Sequence, residues 1–409
     1  MLDFGERLAE LESSGLRRRL RMIEGPQGPQ VVLDGQPVML LCSNNYLGLA
    51  DHPRLRRAAA DAALSLGTSS GASRLISGTM SIHAELEARL AEFKGAEAAL
   101  LFGSGYLANT GTIAALARRG EAVFSDELNH ASIIDGCRLA GAETFVYRHA
   151  DTEHLEWGLR RAGGRAALIV TDGVFSMDGD IAPLHELSIL ARRHRCRLLV
   201  DEAHATGCVG PGGRGSVAAA GLAGEVDVVV GTLGKALGGY GAYVCGSAEL
   251  IDFLVNSARP FIFSTAPPPP AVAAASAALE LLVERPKRVE RLMANAAALR
   301  EGLRSEGLEP AGSVTQIVPL VIGEADETMA LCERLLSDGL FAQAIRPPTV
   351  PPGTCRLRLT TMATHRIADL RRAARMIGAA AGDLGIAATR AESRPAPIRR
   401  VQSALRHAA

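Results

Sequence analysis

The 409-residue sequence predicts an α/β fold in which helices flank a mostly parallel central sheet, followed by a smaller α+β domain. The first observation is a series of short apolar runs between residues 97 and 246, most of them separated by helical segments. Several runs lack the alternation of a half-solvated strand, as expected of strands buried on both faces of a parallel sheet. The second observation is a change of pattern at the four prolines 267–270, after which an Ala-rich stretch precedes shorter mixed elements.

The individual elements are predicted in chain order. Residues 3–24 predict an amphipathic helix with a basic end, and Asp34-Gly35 predicts a hairpin over 31–40. Helices are then expected at 54–64 and 81–95. The strands of the large sheet are expected at 97–102, 121–126, 143–147, 166–172, 197–202, 226–231 and 241–246. Beyond two helical segments at 271–306, broken near Pro286, the expected strands are 316–322, 340–346 and 355–360, and the expected helices are 326–338 and 366–381.

This pattern divides the chain into four parts. We expect an N-terminal helix and hairpin arm at 1–45 and a large domain at 46–284. A small C-terminal domain is expected at 285–387, and a basic, Pro-containing tail at 388–409.

The composition excludes several classes of protein. Lys plus Arg and Asp plus Glu both number 44, and aromatic residues make up 4%, which argues against a nucleic-acid or anionic-membrane surface. The seven cysteines are scattered without a Cys-x-x-Cys pair, which is typical of reduced thiols in a cytosolic protein. No signal-peptide core is present at the start, and the longest apolar stretch, 267–283, contains four prolines. We therefore expect a cytoplasmic protein with no membrane or nucleic-acid partner.

Two motifs at predicted strand ends carry the strongest chemical signal. Asp201 follows the apolar run 197–200, which places its carboxylate at the carboxyl edge of the sheet, where ligands of α/β proteins bind. A buried carboxylate needs a cationic partner, for which the protonated ring nitrogen of a cofactor is one candidate. A structural aspartate that caps the next turn is the alternative. Lys235 lies in the Gly-rich segment 231–239, where a partly desolvated amine has a lowered pKa and becomes nucleophilic.

Three further segments are candidates for ligand contacts. Residues 103–106, Gly-Ser-Gly-Tyr, lie between a strand and a helix, where free N–H groups bind phosphate. The dinucleotide pattern is incomplete because Asn109 replaces its third glycine, so a single phosphate fits better. His130 follows the strand 121–126 and is either a group that lies flat on a planar ligand or a cap. Ser176 is either a donor to a ligand oxygen or part of an ordinary turn.

Two other kinds of site are disfavoured. His204, Asp201 and Cys208 are the candidate metal ligands, but HExxH, paired cysteines and a second histidine at ligand spacing are absent, so no metal site is predicted. A Ser-His-Asp hydrolase is disfavoured because GxSxG does not occur at a strand-to-helix elbow.

Taken together, these motifs resemble pyridoxal-phosphate enzymes of the aspartate-aminotransferase fold (fold type I), and more narrowly the α-oxoamine synthase family. The resemblance covers about residues 17–385. The matching segments occur in order, and they are 43–53, 70–87, 102–109, 129–132, 173–184, 200–215 and 231–243. The segment 345–360 is similar to the branch of the family that makes 8-amino-7-oxononanoate. Asn45 is one departure, since that branch often has Asp there.

The resemblance implies a pyridoxal 5′-phosphate (PLP) cofactor and assigns residues to it. Lys235 is expected to form the covalent link to the cofactor aldehyde, and Asp201 to pair with the pyridinium nitrogen. His204 and Ser176 are expected to hold the phenolic oxygen, and His130 to stack on the ring. The phosphate is expected to bind the N–H groups of Gly105 and Tyr106, the Thr232 hydroxyl, and Ser264 or Thr265 from a neighbouring subunit. The residues assigned to catalysis are Lys235, His130, Asp201 and His204.

The resemblance also implies the substrates and the reaction. Arg358 is expected to clamp the amino-acid carboxylate. The remaining residues expected on the substrate side are Asn44, Arg346, Thr349 and Arg17 or Arg18. The implied reaction is the decarboxylative condensation of L-alanine with a pimeloyl thioester of CoA or a carrier protein, in a homodimer with active sites at the interface. The alternatives are a synthase that uses glycine and a shorter acyl-CoA, and a non-catalytic binding protein or metal-dependent lyase of the same fold.

Overall fold

The computed structural model describes residues 3–13 and 16–386, so the predicted tail at 388–409 lies outside the described residues. Within them, a π-helical turn spans Arg74–Gly78 and a 3-10 turn spans Pro211–Gly213. The α-helices are α1 (Phe4–Ser13), α2 (Pro53–Leu66), α3 (Ser81–Lys94), α4 (Gly105–Leu116), α5 (Ala131–Ala140), α6 (Thr152–Ala162), α7 (Leu184–His194), α8 (Ser216–Ala219), α9 (Ala248–Ser257), α10 (Arg259–Ile262), α11 (Pro269–Glu284), α12 (Lys287–Ser305), α13 (Ala325–Ser337) and α14 (Ile367–Asp383).

The strands form three sheets. In chain order they are β1 (Ile23–Glu24), β2 (Gln30–Leu33), β3 (Gln36–Leu40), β4 (Ala98–Phe102), β5 (Ala122–Asp126), β6 (Glu143–Tyr147), β7 (Ala166–Asp172), β8 (Arg197–Asp201), β9 (Val228–Thr232), β10 (Ala242–Gly246), β11 (Ile317–Gly323), β12 (Leu340–Phe341), β13 (Gln343–Ile345) and β14 (Cys355–Thr360). The large sheet has the order β4-β10-β9-β8-β7-β5-β6, and β10 runs antiparallel to both of its neighbours. The predicted mostly parallel sheet flanked by helices is confirmed.

The apolar runs of the central strands follow from burial on both faces of this sheet. In β8, Leu198 and Val200 belong to the hydrophobic cluster on one face, whereas Leu199 belongs to the cluster on the other face. Each of these three side chains is at most 1% exposed. Because both faces need apolar side chains, the strand has no polar alternation, and its first strongly polar buried residue is Asp201 at its carboxyl end.

The smaller sheet, β11-β14-β13, is antiparallel and packs with α12, α13 and α14 around a separate core. The expected strand over 340–346 is two strands, because β12 leaves this sheet and pairs in parallel with β3. The N-terminal hairpin therefore shares a sheet with a segment that we assigned to the small domain. The four domain boundaries given above stay a prediction.

The predicted helix over residues 3–24 is wrong. Helix α1 ends at Ser13, and Ile23 pairs with Leu33 in strand β1, which extends the hairpin. No residue of α1 is buried, and the nearby Leu20 is fully exposed. A longer helix here would therefore gain no stability from burying apolar side chains. The hairpin itself is confirmed, since Asp34 and Gly35 have φ values of 49° and 81°, as its two-residue turn requires.

Candidate active site

Four strands of the large sheet bring polar side chains to one edge. Strands β5, β7, β8 and β9 are parallel and end at Asp126, Asp172, Asp201 and Thr232. In the register of β7 and β8, Asp172 lies directly beside Asp201. The carboxyl edge of the sheet therefore holds three neighbouring aspartates, as well as the loops that follow them.

Lys235 follows β9 and reaches this edge. Its Nζ lies 3.1 Å from Nε2 of His204. Burial lowers the pKa of the Lys235 amine, against the attraction of Asp201 and Asp172. The chain has two other lysines, of which Lys94 is buried in an ion pair with Glu202 and Lys287 is exposed. Lys235 is therefore the lysine of this chain whose setting suits attack on a carbonyl.

Asp201 is 4% exposed and receives its hydrogen bonds from neutral groups. Asn109 Nδ2 donates to Oδ2 over 2.6 Å, and the backbone N–H of Ala203 donates to Oδ1 over 2.8 Å. Burial and the nearby Asp201 carboxylate raise the pKa of Asp172 well above its usual range. A buried carboxylate that has neutral partners and a carboxyl neighbour still lacks a cation, so a cationic ring nitrogen suits this position.

His204 is held from both sides. Its Nδ1 lies 2.7 Å from the Tyr46 hydroxyl, and the Gln316 side chain donates to its carbonyl oxygen over 2.8 Å. Burial, followed by the charges of Lys235 and Arg358, lowers the pKa of His204 well below its ordinary value. The imidazole is therefore neutral near pH 7 and has one N–H to donate.

Arg358 connects the small sheet to the same cluster. It is 7% exposed, and its Nη2 donates to the Tyr46 hydroxyl over 3.2 Å. Both Nη1 and Nη2 lie 3.4 Å from Asn44 Oδ1. Nε donates to the carbonyl oxygen of Ser176. No carboxylate of the described residues pairs with this guanidinium, so its charge suits a carboxylate ligand.

Ser176 lies in the loop of residues 173–181, which is held in place by an ion pair and by hydrogen bonds from other parts of the chain. Arg356 pairs with Asp178 of this loop. His149 Nε2 bonds Asp180 over 2.7 Å, and Thr315 donates to the Gly179 carbonyl over 2.9 Å. Partners from the small sheet and from the end of β6 therefore fix the loop that presents Ser176.

His130 begins helix α5 on the other side of the site. Its Nδ1 lies 2.7 Å from Ser132 Oγ, and its backbone N–H donates to Asp172 Oδ2 over 2.8 Å. Ser132 Oγ also accepts from Asn109, the residue that donates to Asp201. Burial lowers the pKa of His130, while the Asp201 charge opposes that shift. The lowered pKa favours the neutral imidazole, which suits a ring that stacks on a planar ligand.

The expected phosphate site lies at the start of helix α4. The Ser104 hydroxyl accepts from the Leu107 N–H over 3.3 Å, whereas the N–H groups of Gly105 and Tyr106 are in the first turn and have no acceptor within the helix. A Cβ at Gly105 would meet nothing within 4 Å, so the space there is open. Thr232 Oγ1 accepts from Gly234 and donates to the Gly241 carbonyl over 3.1 Å.

These observations fit PLP. The set has a primary amine with a lowered pKa, a buried carboxylate without a cation, and an open helix start with free N–H groups. Those are the groups that an aldehyde, a protonated ring nitrogen and a phosphate need, respectively.

The structure joins some of the predicted residues and leaves others apart. Lys235, His204, Arg358, Asn44 and Ser176 are connected by the hydrogen bonds given above. Thr265 forms an isolated bridge with Ser73, and Thr349 donates to the Arg346 carbonyl in the loop after β13. Arg17 is exposed and pairs with Glu12 over 3.1 Å. No hydrogen bond or ion pair of the described residues links the residues expected on the acyl side, or Ser264 and Thr265, to Lys235. Their roles stay predictions.

Three polar residues of the site were missed by the sequence analysis. Tyr46, Asn109 and Asp172 have at most 3% exposure and bond His204, Asp201 and His130, respectively. Asn109 lies one turn after Gly105 in α4, and Asp172 ends an apolar run as Asp201 does, so both carried a signal. Tyr46 carried none that spacing reveals.

Two kinds of feature are absent from residues 3–13 and 16–386. No group of three His, Cys, Asp or Glu side chains is placed to hold a metal ion. No helix in these ranges has the length and apolar character that crossing a membrane requires.

Comparison with known proteins identifies the family. The aminotransferase class I and II model matches residues 36–377. A curated 8-amino-7-oxononanoate synthase from Geobacter metallireducens is 56% identical over 94% of this chain and 99% of its own length. A solved structure of serine palmitoyltransferase from S. paucimobilis with a bound PLP–myriocin aldimine is 35% identical and has a TM-score of 0.88, covering 93% of this chain and 97% of that one. The crystal structure of 8-amino-7-oxononanoate synthase from Francisella tularensis is 27% identical and has a TM-score of 0.74, covering 85% of this chain and 99% of that one. The chain therefore belongs to the aminotransferase class I and II family and, within it, to the α-oxoamine synthases.

Proposed function

We propose that this chain is a PLP-dependent acyltransferase that condenses L-alanine with a pimeloyl thioester and releases 8-amino-7-oxononanoate, CO2 and the free thiol. The product places the reaction in biotin biosynthesis. The observation that carries the proposal is the half-buried Lys235, whose amine lies 3.1 Å from His204 at the same sheet edge as the buried Asp201. The substrate assignment is supported by 56% identity to a relative with that activity.

Bound PLP supplies an electron sink that stabilises negative charge at the α-carbon of the amino acid. Lys235 would hold its aldehyde, and Asp201 would keep its ring nitrogen protonated. The phosphate would lie on the Gly105 and Tyr106 N–H groups and the Thr232 hydroxyl, with Ser264 or Thr265 from a second subunit. His130 would cover one face of the ring, and His204 and Ser176 would face its phenolic oxygen.

Lys235 is the group that moves protons. Because burial lowers the pKa of its amine, Lys235 is more readily the neutral base than an ordinary lysine, which is almost wholly protonated near pH 7. The amine can remove the α-proton of alanine and return a proton to the same carbon after CO2 has left.

The substrate carboxylate belongs at Arg358. Its guanidinium already has Ser176 and Tyr46 as fixed acceptors, so it is preorganised for a bidentate clamp. Asn44 Oδ1 lies within 3.4 Å of the same two nitrogens and orients them. The acyl thioester is assigned to the side lined by Arg346, Thr349 and Arg17 or Arg18. The thiol that carries the acyl group is that of CoA or of a carrier protein.

The test is a product analysis by mass spectrometry. Pimeloyl-CoA with L-alanine should give 8-amino-7-oxononanoate, whereas glycine with acetyl-CoA or succinyl-CoA should give no matching ketone. Product with glycine alone would assign the chain to the other branch of the family.

The lysine assignment has its own test. Borohydride reduction followed by peptide mapping should place the label on Lys235, and Lys235→Ala should lose both the label and turnover, by roughly 10²–10⁴-fold or more. The exposed Lys287→Ala is the matched control and should behave as the wild type. A label on Lys94 or Lys287, or an active Lys235→Ala enzyme, contradicts the assignment.

The proposal includes a homodimer with its sites at the interface. Large exposed apolar side chains occur at or near the expected phosphate residues in the chain: Tyr106 itself is 47% exposed, Phe263 before Ser264 is 70% exposed, and Ile76, three residues after the Ser73 that bridges Thr265, is 79% exposed. Such a group of exposed apolar side chains is typical of an interface. Light scattering coupled to gel filtration should give twice the chain mass of 42.9 kDa. A cytoplasmic location is likewise our expectation, which fractionation of the source cells tests.

A further inference from the structure

Tyr46 lies at the centre of the polar cluster, and the function proposed above uses it only as an acceptor for Arg358. Its side chain is fully buried. Its hydroxyl lies 2.7 Å from His204 Nδ1, 2.9 Å from Asn44 Oδ1 and 3.2 Å from Arg358 Nη2. Arginine only donates, so the Tyr46 oxygen accepts from Arg358. The single hydroxyl proton then has two acceptors within reach, which are His204 and Asn44.

The protonation states of these groups restrict the choice. Burial raises the pKa of Tyr46 to about 12, against the charge of Arg358, so the hydroxyl keeps its proton. Burial also lowers the pKa of His204 well below its ordinary value, so the imidazole is neutral and carries one proton. That proton lies on Nδ1, which faces Tyr46, or on Nε2, which faces Lys235.

The requirement at Nε2 decides between the two. In the proposed function, on which this step rests, Nε2 faces a phenolic oxygen that carries negative charge, so it must be the donor. Nδ1 is then bare and needs a donor of its own. Among the described residues, the Tyr46 hydroxyl is the group that lies within hydrogen-bond distance of Nδ1. Its separation from Nδ1 is shorter than its separation from Asn44, whose oxygen also lies 3.4 Å from two donors of Arg358.

We infer that Tyr46 is a positioning residue that donates its hydroxyl proton to Nδ1 of His204 and so fixes the tautomer in which Nε2 is a hydrogen-bond donor to the cofactor. The same hydroxyl accepts from Arg358, the residue assigned to the amino-acid carboxylate. Tyr46 thus joins the carboxylate site to the group that faces the cofactor. Without its hydroxyl, the Nδ1–H tautomer, which presents a bare nitrogen at Nε2, is no longer disfavoured.

The test is nitrogen NMR of the holoenzyme labelled with ¹⁵N-histidine, since protonated and bare imidazole nitrogens have well separated shifts. His204→Gln assigns the signals of His204. We expect a protonated Nε2 and a bare Nδ1 in the wild type. Tyr46→Phe should move these signals toward the opposite tautomer. Tyr147→Phe is the matched control, because Tyr147 is a buried tyrosine that bonds no residue of the site, and it should leave the signals unchanged.

A kinetic measurement accompanies the NMR. Tyr46→Phe should lower kcat by roughly 10–100-fold, the usual effect of removing a group that orients an active-site histidine. The KM for pimeloyl-CoA should stay within about twofold, because the acyl side does not contact Tyr46. A bare Nε2 in the wild-type holoenzyme overturns the inference, and this result does not depend on whether Tyr46→Phe folds. An unchanged tautomer in a folded Tyr46→Phe also overturns it. Failure of the proposed function is distinct, because it shows as absence of product in the wild type.

Discussion

Removal of the Lys94 charge should destabilise the large domain strongly, and the structure allows the effect to be sized. Lys94 and Glu202 form an ion pair whose side chains are 2% and 0% exposed. Lys94 Nζ also donates to Thr206 Oγ1 over 3.0 Å and to the Arg214 carbonyl over 2.6 Å. Burial lowers the pKa of Lys94, but the charge and hydrogen bond of Glu202, together with Tyr243 and Cys245, raise that pKa above its ordinary value. The pair is therefore ionised and holds the segment that carries Asp201 and His204.

Lys94→Met leaves the Glu202 carboxylate charged, buried and without a cation, which costs about 3–5 kcal/mol. A domain of this size loses about 2–4 °C in Tm for each kcal/mol, so the expected fall is about 6–20 °C by calorimetry. Lys94→Met/Glu202→Met should recover only part of this loss, because Ser216 Oγ and the Val217 N–H still lose Glu202 as their acceptor.

The control for this prediction is Arg57→Met on the protein surface. Arg57 pairs with Asp61 over 3.0 Å, but the two side chains are 80% and 54% exposed. Such pairs are worth about 0.3–0.5 kcal/mol, so Tm should change by less than about 2 °C. If Lys94→Met melts within about 2 °C of Arg57→Met, the reasoning from burial and charge is refuted.

Three further predictions follow from the same structure. Burial lowers the pKa of His149, but hydrogen bonds to two aspartates outweigh it and raise that pKa to about 9. The protonated His149 therefore stabilises the fold fully below about pH 6.5, and this stabilisation is lost as the pH rises through 9. The Tm of the wild type should fall over that range, whereas the Tm of His149→Gln should stay constant. Gly179→Ala should lower Tm more than Gly212→Ala, although both glycines have a positive φ. A Cβ at Gly179 would lie 2.5 Å from a serine hydroxyl, whereas a Cβ at Gly212 would meet no atom within 4 Å. Equal losses of Tm would argue against the contact. Asp201→Asn should abolish the cofactor-dependent absorbance and turnover, whereas Asp172→Asn should retain most of both, and the reverse order in a spectral and kinetic assay would overturn the assignment.

The sequence predicts those parts of the site that local patterns determine. Asp201 was found because it is the first polar side chain after a strand that is apolar on both faces, which marks the edge of the sheet. Lys235 was found because it lies in a Gly-rich segment directly after the next strand. The glycines at 103 and 105 marked the start of α4 because they directly follow the apolar run of a strand. Whether a segment is a helix or a strand was predictable where its apolar pattern is long and a residue such as glycine or proline marks its end.

The parts that were wrong or missed depend on tertiary partners. The helix expected at 3–24 ends at Ser13, and none of its residues is buried, which a periodicity cannot reveal. The single strand expected at 340–346 became β12 and β13 because two different sheets compete for it. Tyr46 was missed because its partner His204 is 158 residues away in sequence. Such contacts are formed only in the folded chain, and no regular spacing in the sequence indicates them.

The three aspartates at the sheet edge show how one fold gives identical side chains different roles. Asp126 bonds the imidazole of His149 over 2.9 Å, so its charge is matched by a cation of the chain itself. Asp172 accepts only backbone hydrogen bonds from His130, and burial next to Asp201 raises its pKa well above the usual range, which favours its neutral form. Repulsion between neighbouring carboxylates is relieved when one of them is neutral. Asp201 differs from both, because its hydrogen-bond donors are neutral groups and no ion pair of the described residues includes it, and it ends the strand next to the one that Lys235 follows. This asymmetry supports our proposal that a cationic ring nitrogen would pair with Asp201 rather than with Asp126 or Asp172.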